Sequence, residues 1–511
     1  MRKKSRTQKA MLNTACEIGL EIVAALCGLI LPRLILSNFG SAYNGITHSI
    51  SQFISCIALL KSGVGSVTRA SLYKPLADHD SDGISEVVTA TESFMRRIAL
   101  IFFGFVLVFA AVYPFIVKDD FDWFFVFSLV LILSVSTFAQ YYFGLAHQMV
   151  LQADQCNYII SLVSIASTVL NTIIASSLIL LGCGIHAVKL GSAAVFICPP
   201  IFYSIYVKKK YHLYKSKKPN LNLISQRWDA FGHQLANFIN NNTDIIVATV
   251  FLGIKEVSVY SVHYTVANTM RKAVIAVSSG TTAAFGNMIA KEETDNLKRR
   301  FSQFELLIFV LGTILFTTTA ILFVPFISIY TRGVEDVNYI RPGFAIIFCI
   351  AEFFACTKLP YEQLVFAAGK FKATKKGAYI EAILNIVISV ILVKPLGLIG
   401  ILVGTTFAVV YRMMRYNIFI SQNLIDRSPL LILYKILYTC ICSISCYLVC
   451  SILPFANPTN YFNWILMAIP SFVIVLLAST ILSLIMFRDD TVELFRTITH
   501  VFFKKQRKEK K

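Results

Sequence analysis

About fourteen apolar stretches, each roughly 20 residues long and separated by short polar breaks, make up nearly all of the chain. A helix of this length spans the hydrocarbon core of a bilayer, and only helices or closed barrels satisfy their backbone hydrogen bonds there. Hydrophobic residues form 56% of the sequence and charged residues only 15%, against about 25% charged residues in soluble domains. The pattern predicts an all-α integral membrane protein with about 14 transmembrane helices.

A weak internal repeat, with an offset of about 213 residues, organises these predicted helices. The segment Leu170–Gly191 resembles Leu384–Gly404 in its Leu-Asn pair and its two later glycines. Because each repeat holds an even number of helices, both copies have the same orientation in the membrane. The repeat therefore predicts two six-helix bundles related by a pseudo-two-fold axis along the membrane normal, followed by two more helices.

The predicted domains follow this division and are defined by residue number. They are an N-terminal six-helix bundle (1–215), a C-terminal six-helix bundle (216–428), two additional transmembrane helices (429–487) and a basic tail (488–511).

The distribution of basic residues predicts the orientation. Placing the N-terminus in the cytoplasm puts about 35 of the 47 Lys and Arg residues on that side, as the positive-inside rule requires. An even number of spans then returns the C-terminus to the cytoplasm. The net charge of +19 is explained by this topology and by anionic lipid head groups, and no nucleic-acid partner is expected. The tail Lys504–Lys511 fits anionic lipid or a partner protein.

Several functional classes are disfavoured. The sequence has no Walker A motif, no HExxH motif and no room for a sizeable soluble domain, so we expect a protein that is not an enzyme and has no cofactor. Cysteines cluster in Cys440–Cys450, where a metal or redox site competes with simple packing. No Cys/His set has zinc-ligand spacing, so packing is favoured and no metal site is predicted.

Charges inside apolar helices are the candidate functional residues, because such a charge costs about 2.5–3.5 kcal/mol on insertion scales unless it faces a partner or a cavity. The cations predicted to line a polar lumen and bind substrate are Arg33, Lys61, Arg271 and Lys358. The acids predicted to couple an ion or to line the lumen are Asp244, Glu21 and Glu362. A cationic interior favours an anionic head group such as a phosphate or pyrophosphate.

Local sequence leaves alternatives at some of these positions. Pro32 is expected to kink the first helix beside Arg33 and so to open a cavity. Glu21 fits either a lumen site or a side chain that extends to the membrane surface. Lys358 and Glu362 are i,i+4 neighbours and could simply neutralise one another.

A series of segments, in order along almost the whole chain, carries a family resemblance. They are Leu31–Ile46, Leu72–Ile84, Leu151–Ile160, Asn241–Val266, Lys358–Ser389 and Pro395–Val409. Together they resemble the polysaccharide-exporter (Wzx-type) branch of the MOP flippase superfamily. Arg33 matches the family's Pro-Arg pair and Asp244 its Asn-Thr-Asp motif. Lys358 stands where the family often has arginine, and Lys61 where it often has an acidic or neutral residue.

The resemblance implies a flippase of the bacterial plasma membrane that translocates an undecaprenyl-pyrophosphate-linked oligosaccharide, such as a capsule or O-antigen repeat unit. The two repeats suit alternating-access transport, and the missing Walker A motif favours an ion gradient or the membrane potential as its driving force. Expected partners are the lipid-linked substrate, membrane lipids, and glycosyltransferases or a polymerase of the same pathway. The alternatives are a MATE-type multidrug or metabolite antiporter and a non-transporting integral subunit of a polysaccharide synthase.

Overall fold

The computed structural model of the protein describes residues 6–56, 64–117, 120–214, 231–278, 281–453 and 458–496. Within these ranges the chain forms helices and no strand, which confirms the predicted all-α fold.

Helices α1 to α9 occupy the first half of the chain. They are α1 (Arg6–Phe39), α2 (Ser41–Ser55), α3 (Val64–Ala77), α4 (Ser81–Val112), α5 (Trp123–Ala139), α6 (Leu145–Ala153), α7 (Asn157–Leu180), α8 (Ile185–Lys210) and α9 (Phe231–Phe251). A π-helical turn, Gln140–Gly144, joins α5 to α6. Pro32 lies inside α1, and the helix continues past it to Phe39.

Helices α10 to α18 occupy the second half. They are α10 (Ile254–Ser278), α11 (Thr281–Ala290), α12 (Thr294–Tyr330), α13 (Pro342–Thr357), α14 (Leu359–Ala367), α15 (Phe371–Leu396), α16 (Leu398–Asn423), α17 (Leu431–Ile452) and α18 (Tyr461–Met486).

Eleven helical segments among the described residues are long and apolar enough to cross a membrane, so the chain is a multi-span membrane protein. The predicted spans that are not among the eleven are Asn44–Val67, His233–Phe251 and Val257–Thr281. Residues 57–63 of the first lie outside the described residues. Among the described residues of the second, Asn242–Phe251 is a short apolar helix. Several polar side chains of α2, α9 and α10 form the contacts described in the next subsection.

The chain divides into two compact units. The first unit comprises Met1–Ser261 with Gly333–Val337, and the second comprises Val262–Arg332 with Asn338–Lys511. The division lies within α10, whereas the sequence repeat places a boundary near residue 215. The first unit includes α9 because this helix packs on α2. The assignment of two six-helix bundles with a boundary at 215 stays a prediction.

Capping carboxylates and a glycine turn define several helix ends. The Asp80 carboxylate accepts hydrogen bonds of 3.0 Å from the backbone N–H groups of Asp82 and Gly83 at the start of α4. Asp122 caps α5 in the same way. Such caps satisfy amide groups that have no partner within the helix. Gly397, with φ of 58°, makes the turn between α15 and α16, a conformation that favours glycine.

Glycines let the backbones of α15 and α16 approach closely in the second unit. A Cβ atom on Gly400 would lie 2.1 Å from the backbone oxygen of Leu392, and one on Gly404 would lie 2.3 Å from the hydroxyl of Ser389. Membrane helices commonly pack through such small residues, because apolar burial against lipid gives little driving force.

Asp154, in the turn between α6 and α7, holds the start of α1 in the first unit. The Lys9 ammonium lies 2.9 Å from its carboxylate and 2.8 Å from its backbone oxygen. The Tyr211 hydroxyl donates to the same carboxylate at 2.7 Å. One turn further along α1, Asn13 accepts a hydrogen bond from the backbone N–H of Tyr158. These bonds fix α1 to the α6–α7 turn and to the end of α8.

Glu305 is the centre of a buried ionic network in the second unit. Its carboxylate, on α12, accepts hydrogen bonds of 2.6 and 2.9 Å from the Arg427 guanidinium. Lys435 on α17 and the Tyr361 hydroxyl on α14 also donate to it. A buried carboxylate needs several such partners to offset its desolvation. The network therefore ties α17 to α12 and α14.

Replacing Gly400 with alanine is expected to lower the stability of the second unit by about 1–3 kcal/mol, because the new methyl group must push apart two helix backbones. Gly343→Ala is the matched control, since the nearest atom to its Cβ would be Ile399 Cδ1 at 3.7 Å. Thermal unfolding of both purified variants in detergent measures the difference. Equal melting temperatures would contradict the close packing of α15 on α16.

The Asp154 contacts predict a pH dependence. Burial alone would raise the pKa of the Asp154 carboxyl, but the hydrogen bonds from Tyr211 and Lys9 outweigh it, so its pKa lies below the ordinary value. Its stabilising contribution is therefore complete above the unfolded-state pKa of about 3.9 and is lost as the pH falls through the folded-state pKa. Asp154→Asn should cost about 1–3 kcal/mol at pH 7 and progressively less below pH 4. Unfolding measured from pH 3 to pH 7 checks this, and a pH-independent difference would contradict it.

Candidate functional site

Polar side chains of α2 face α9 and the first turns of α10 in the first unit. The Asn44 amide donates hydrogen bonds of 2.9 and 3.1 Å to the hydroxyls of Ser258 and Ser261. One turn further along α2, the Ser49 hydroxyl lies 2.8 Å from that of Thr249. All of these side chains are buried. We call this contact the α2 polar seam.

The seam continues toward the end of α2. The side chain of Asn242 on α9 accepts hydrogen bonds from Gln52 and from Ser55, the latter at 2.9 Å. Gly45 lets the helices approach, because a Cβ atom there would lie 1.9 Å from the backbone oxygen of Ile254. The polar residues that lower the hydropathy of α2 and α9 thus bond to one another.

Asp244 lies beside this seam. Its side chain is 5% exposed, and its carboxylate accepts a 2.8 Å hydrogen bond from the Tyr260 hydroxyl on α10. The other predicted residues of the first unit lie on α1, where Arg33 is half-buried and Glu21 is exposed. Lys61 lies outside the described residues.

In the second unit, Arg271 on α10 forms an ion pair with Glu352 on α13, at 3.4 Å between Nη1 and Oε2. The arginine side chain is 27% exposed and the glutamate side chain 9% exposed. Glu362 on α14 is half-buried and lies within electrostatic range of Arg271. Glu362 thus shares a region with a predicted cation.

Lys358, between α13 and α14, belongs to a second ionic group. Its ammonium lies 2.8 Å from Glu381 Oε1 on α15, so its partner is not the i,i+4 neighbour Glu362. Arg412 on α16 approaches the other oxygen of Glu381 at 3.6 Å. Its guanidinium also donates to the backbone oxygen of Thr374, at 2.7 Å. We call Lys358, Glu381 and Arg412 the Glu381 cluster.

In both ionic groups the acid is more buried than the predicted cation. The Lys358 side chain is 15% exposed and that of Glu381 only 3% exposed, as with Arg271 and Glu352. A cation that is paired with a more deeply buried carboxylate keeps part of its own surface accessible. Such cations are preoriented for an anion, which lysine binds as a point charge and arginine as a planar fork.

The charge balance of the second unit differs from the expectation of a cationic interior with few acids. The cations Arg271, Lys358 and Arg412 are accompanied by the acids Glu352, Glu362 and Glu381. Local orientation, rather than a surplus of positive charge, therefore decides whether an anion can bind here. The roles assigned to the individual residues stay predictions.

Sequence reasoning did not select Glu305, Glu381 or Arg412. Each is a charge between apolar residues, as in Tyr379–Leu384 around Glu381, and the same argument that selected Arg271 could have found it. Their pairing could not have been predicted, since the partners are 23 to 130 residues apart in the chain.

Among the described residues, no group of His, Cys, Asp and Glu is arranged to hold a metal ion. Cys442, Cys446 and Cys450 are buried on α17. Cys442 and Cys446 pack in one apolar cluster with Val475 of α18. Their arrangement is that of small residues between two helices.

Comparisons with known proteins find similarity in structure alone. No protein-family model matches the sequence, and no curated protein matches it. Among solved structures, the lipid II flippase MurJ in an inward closed conformation is similar over 94% of this chain and 99% of its own, with a TM-score of 0.71 and 16% identity.

Multidrug transporters have the same fold. An inward-facing multidrug resistance MATE family transporter of the MOP superfamily matches 80% of this chain and 98% of its own, with a TM-score of 0.56 and 14% identity. A eukaryotic MATE transporter matches 81% of this chain and 95% of its own, with a TM-score of 0.58 and 12% identity. The chain therefore has the fold of MurJ and of the MATE transporters.

Replacing Glu381 with glutamine should lower stability by about 3–5 kcal/mol, because Lys358 and Arg412 then lose their buried carboxylate. Glu362→Gln, on the half-buried neighbouring glutamate, should cost much less. The double variant Glu381→Gln/Lys358→Met should recover part of the loss, since it also removes one of the two cations. Thermal unfolding in detergent measures all three variants. Equal melting temperatures for the Glu381 and Glu362 variants would contradict the cluster.

Proposed function

We propose that this chain is a flippase of the MOP superfamily that moves an undecaprenyl-pyrophosphate-linked oligosaccharide across the bacterial plasma membrane. The substrate would be a repeat unit of a cell-surface polysaccharide. Transport would proceed by alternating access, coupled to an ion gradient or to the membrane potential.

The observation that carries the proposal is the ion pairing of Arg271 and Lys358. Each is paired with a more deeply buried glutamate and is itself partly exposed. A pyrophosphate offers several anionic oxygens to such groups, and charge-assisted hydrogen bonds of this kind are roughly twice as strong as neutral ones.

The structural comparisons support a flippase over a drug antiporter. The likeness to the lipid II flippase extends over 94% of the chain, whereas those to the two MATE transporters extend over 80% and 81%. The Wzx-type sequence segments point to an oligosaccharide on the lipid carrier. On this proposal the termini are cytoplasmic, and glycosyltransferases or a polymerase of the same pathway are further partners.

A MATE-type antiporter is the second candidate, and Asp244 is the observation that favours it. A buried carboxylate hydrogen-bonded to a tyrosine is a group that can take up a proton or a monovalent cation. The same group can also supply the ion coupling of a flippase. The two functions are separated by the cargo, which is a lipid-linked anion in one case and a soluble organic cation in the other.

Removing one of the substrate-binding cations should abolish most transport while leaving the protein in the membrane. Arg33→Ala and Lys358→Gln, tested separately, should each reduce flipping roughly ten- to hundredfold, the range that corresponds to one hydrogen bond between charged groups. The assay is reconstituted proteoliposomes that carry a fluorescent polyprenyl-pyrophosphate oligosaccharide, with flipping measured by chemical quenching of the outward-facing label.

The controls separate charge from folding. Lys358→Arg retains the charge and should retain substantial activity. Lys394→Gln removes an exposed lysine on α15 and should leave flipping unchanged. Unchanged flipping by both Arg33→Ala and Lys358→Gln would overturn the binding site. Cation efflux without flipping by the unmodified protein would favour the antiporter.

A further inference from the structure

A cavity of about 320 Å³ lies within the first unit, among α5, α6, α7 and α8. Its lining shares no residue with the α2 polar seam and includes none of the described candidate cations. Its lining consists of Ser136, Thr137, Gln140, Gly144, Gln148, Ser164, Ser167, Thr168, Phe196, Pro199, Pro200 and Tyr203. We call it the α5–α8 cavity.

The polar groups of the cavity come from two helical stripes. Along α5, the π-helical turn and α6, polar side chains recur at helical spacing, from Ser136 through Gln140 to Gln148. On α7, Ser164, Ser167 and Thr168 share one face by their i,i+3 and i,i+4 spacing. Polar groups in a membrane span need a protein partner or a wet cavity. Here they converge on one space.

Two prolines of α8 and a glycine of the π-helical turn line this space. Pro199 and Pro200 have no N–H to donate, so the carbonyls of Val195 and Phe196, four residues earlier in α8, lose their usual helical donors. Opposite them, Gly144 ends the π-helical turn, and a Cβ atom there would lie 2.8 Å from Pro200. π-helical turns inside α-helices are frequent at functional sites.

The chemistry of the lining selects a neutral ligand. Among the described residues, no acidic or basic side chain lines the cavity, so neither an anion nor a cation would find there the opposite charge that a buried ion requires. A hydrocarbon chain would leave the hydroxyls and amides without partners. A polyhydroxylated ring satisfies both conditions, because its hydroxyls can pair with the polar stripes. Its C–H face can lie on Tyr203 or Phe196.

We propose that the α5–α8 cavity is a binding site for one neutral sugar residue. The volume is at the lower end of the range of about 300–1,000 Å³ for small-molecule sites, which suits a single ring rather than an oligosaccharide. The inference deepens the proposed function and rests on it: the sugar would be one residue of the lipid-linked substrate.

Free monosaccharides provide a direct test on the full-length protein in nanodiscs. Saturation-transfer NMR should detect saturable millimolar binding of galactose or N-acetylglucosamine, both neutral. Glucuronate and glucosamine, which carry a charge, should bind at least tenfold more weakly. Absence of saturable binding by either neutral sugar, or equal binding of the charged ones, would overturn the proposal.

A matched pair of variants locates the site. Thr168→Val removes a hydroxyl from the cavity wall, whereas Thr172→Val makes the same change one turn further along α7, outside the lining. Binding should weaken severalfold in the first and stay unchanged in the second. Gln140→Leu should weaken it at least tenfold. If Gln140→Leu does not fold, the threonine pair decides alone, and equal affinities in that pair would overturn the location.

The flipping assay distinguishes this inference from the proposed function. If the wild-type protein flips the lipid-linked substrate but does not bind free sugars, the sugar site alone is overturned. Sugar binding by a protein that does not flip the lipid-linked substrate would overturn the proposed flippase and would leave a membrane protein with a sugar site.

Discussion

The fold depends on how this chain satisfies polar and charged side chains that its sequence places inside apolar helices. In a bilayer, an unpartnered charge or amide costs several kcal/mol. The described part of the chain meets this constraint in different ways. Hydroxyls and amides bond across the α2 polar seam, acids hold cations in the Glu305 network and the Glu381 cluster, and uncharged polar groups surround the α5–α8 cavity.

These arrangements serve different purposes. The Glu305 network is almost wholly buried and joins α17 to the helices of its unit, so its role is mechanical. The two ion pairs of Arg271 and Lys358 leave their cations partly exposed, which makes them suitable for a ligand. The difference lies in exposure rather than in residue type, and for this reason a count of charges does not separate structural from functional residues.

The all-helical, multi-span fold could be predicted from the sequence, because runs of about 20 apolar residues admit little else in a membrane. The contacts of α2 with α9 and α10 could not be predicted, because they join residues 187 to 217 apart in the chain. Asp244, Arg271 and Lys358 were recognisable as charges in apolar surroundings, but Glu381 and Arg412 showed their relevance only through contacts between distant helices. The α5–α8 cavity had a sequence signal in the spacing of Ser136, Gln140 and Gln148, although the polar stripe on α7 and the α8 residues that complete the lining require the tertiary structure.

The distribution of lipid-linked glycans between the two faces of the membrane tests most directly whether this chain is a flippase. In a deletion strain, the polyprenyl-pyrophosphate-linked oligosaccharide should accumulate on the cytoplasmic face of the membrane. Its outward-facing pool should return when the wild-type gene is restored. A normal outward-facing pool in the deletion strain, together with altered sensitivity to cationic drugs, would contradict the flippase and support an antiporter.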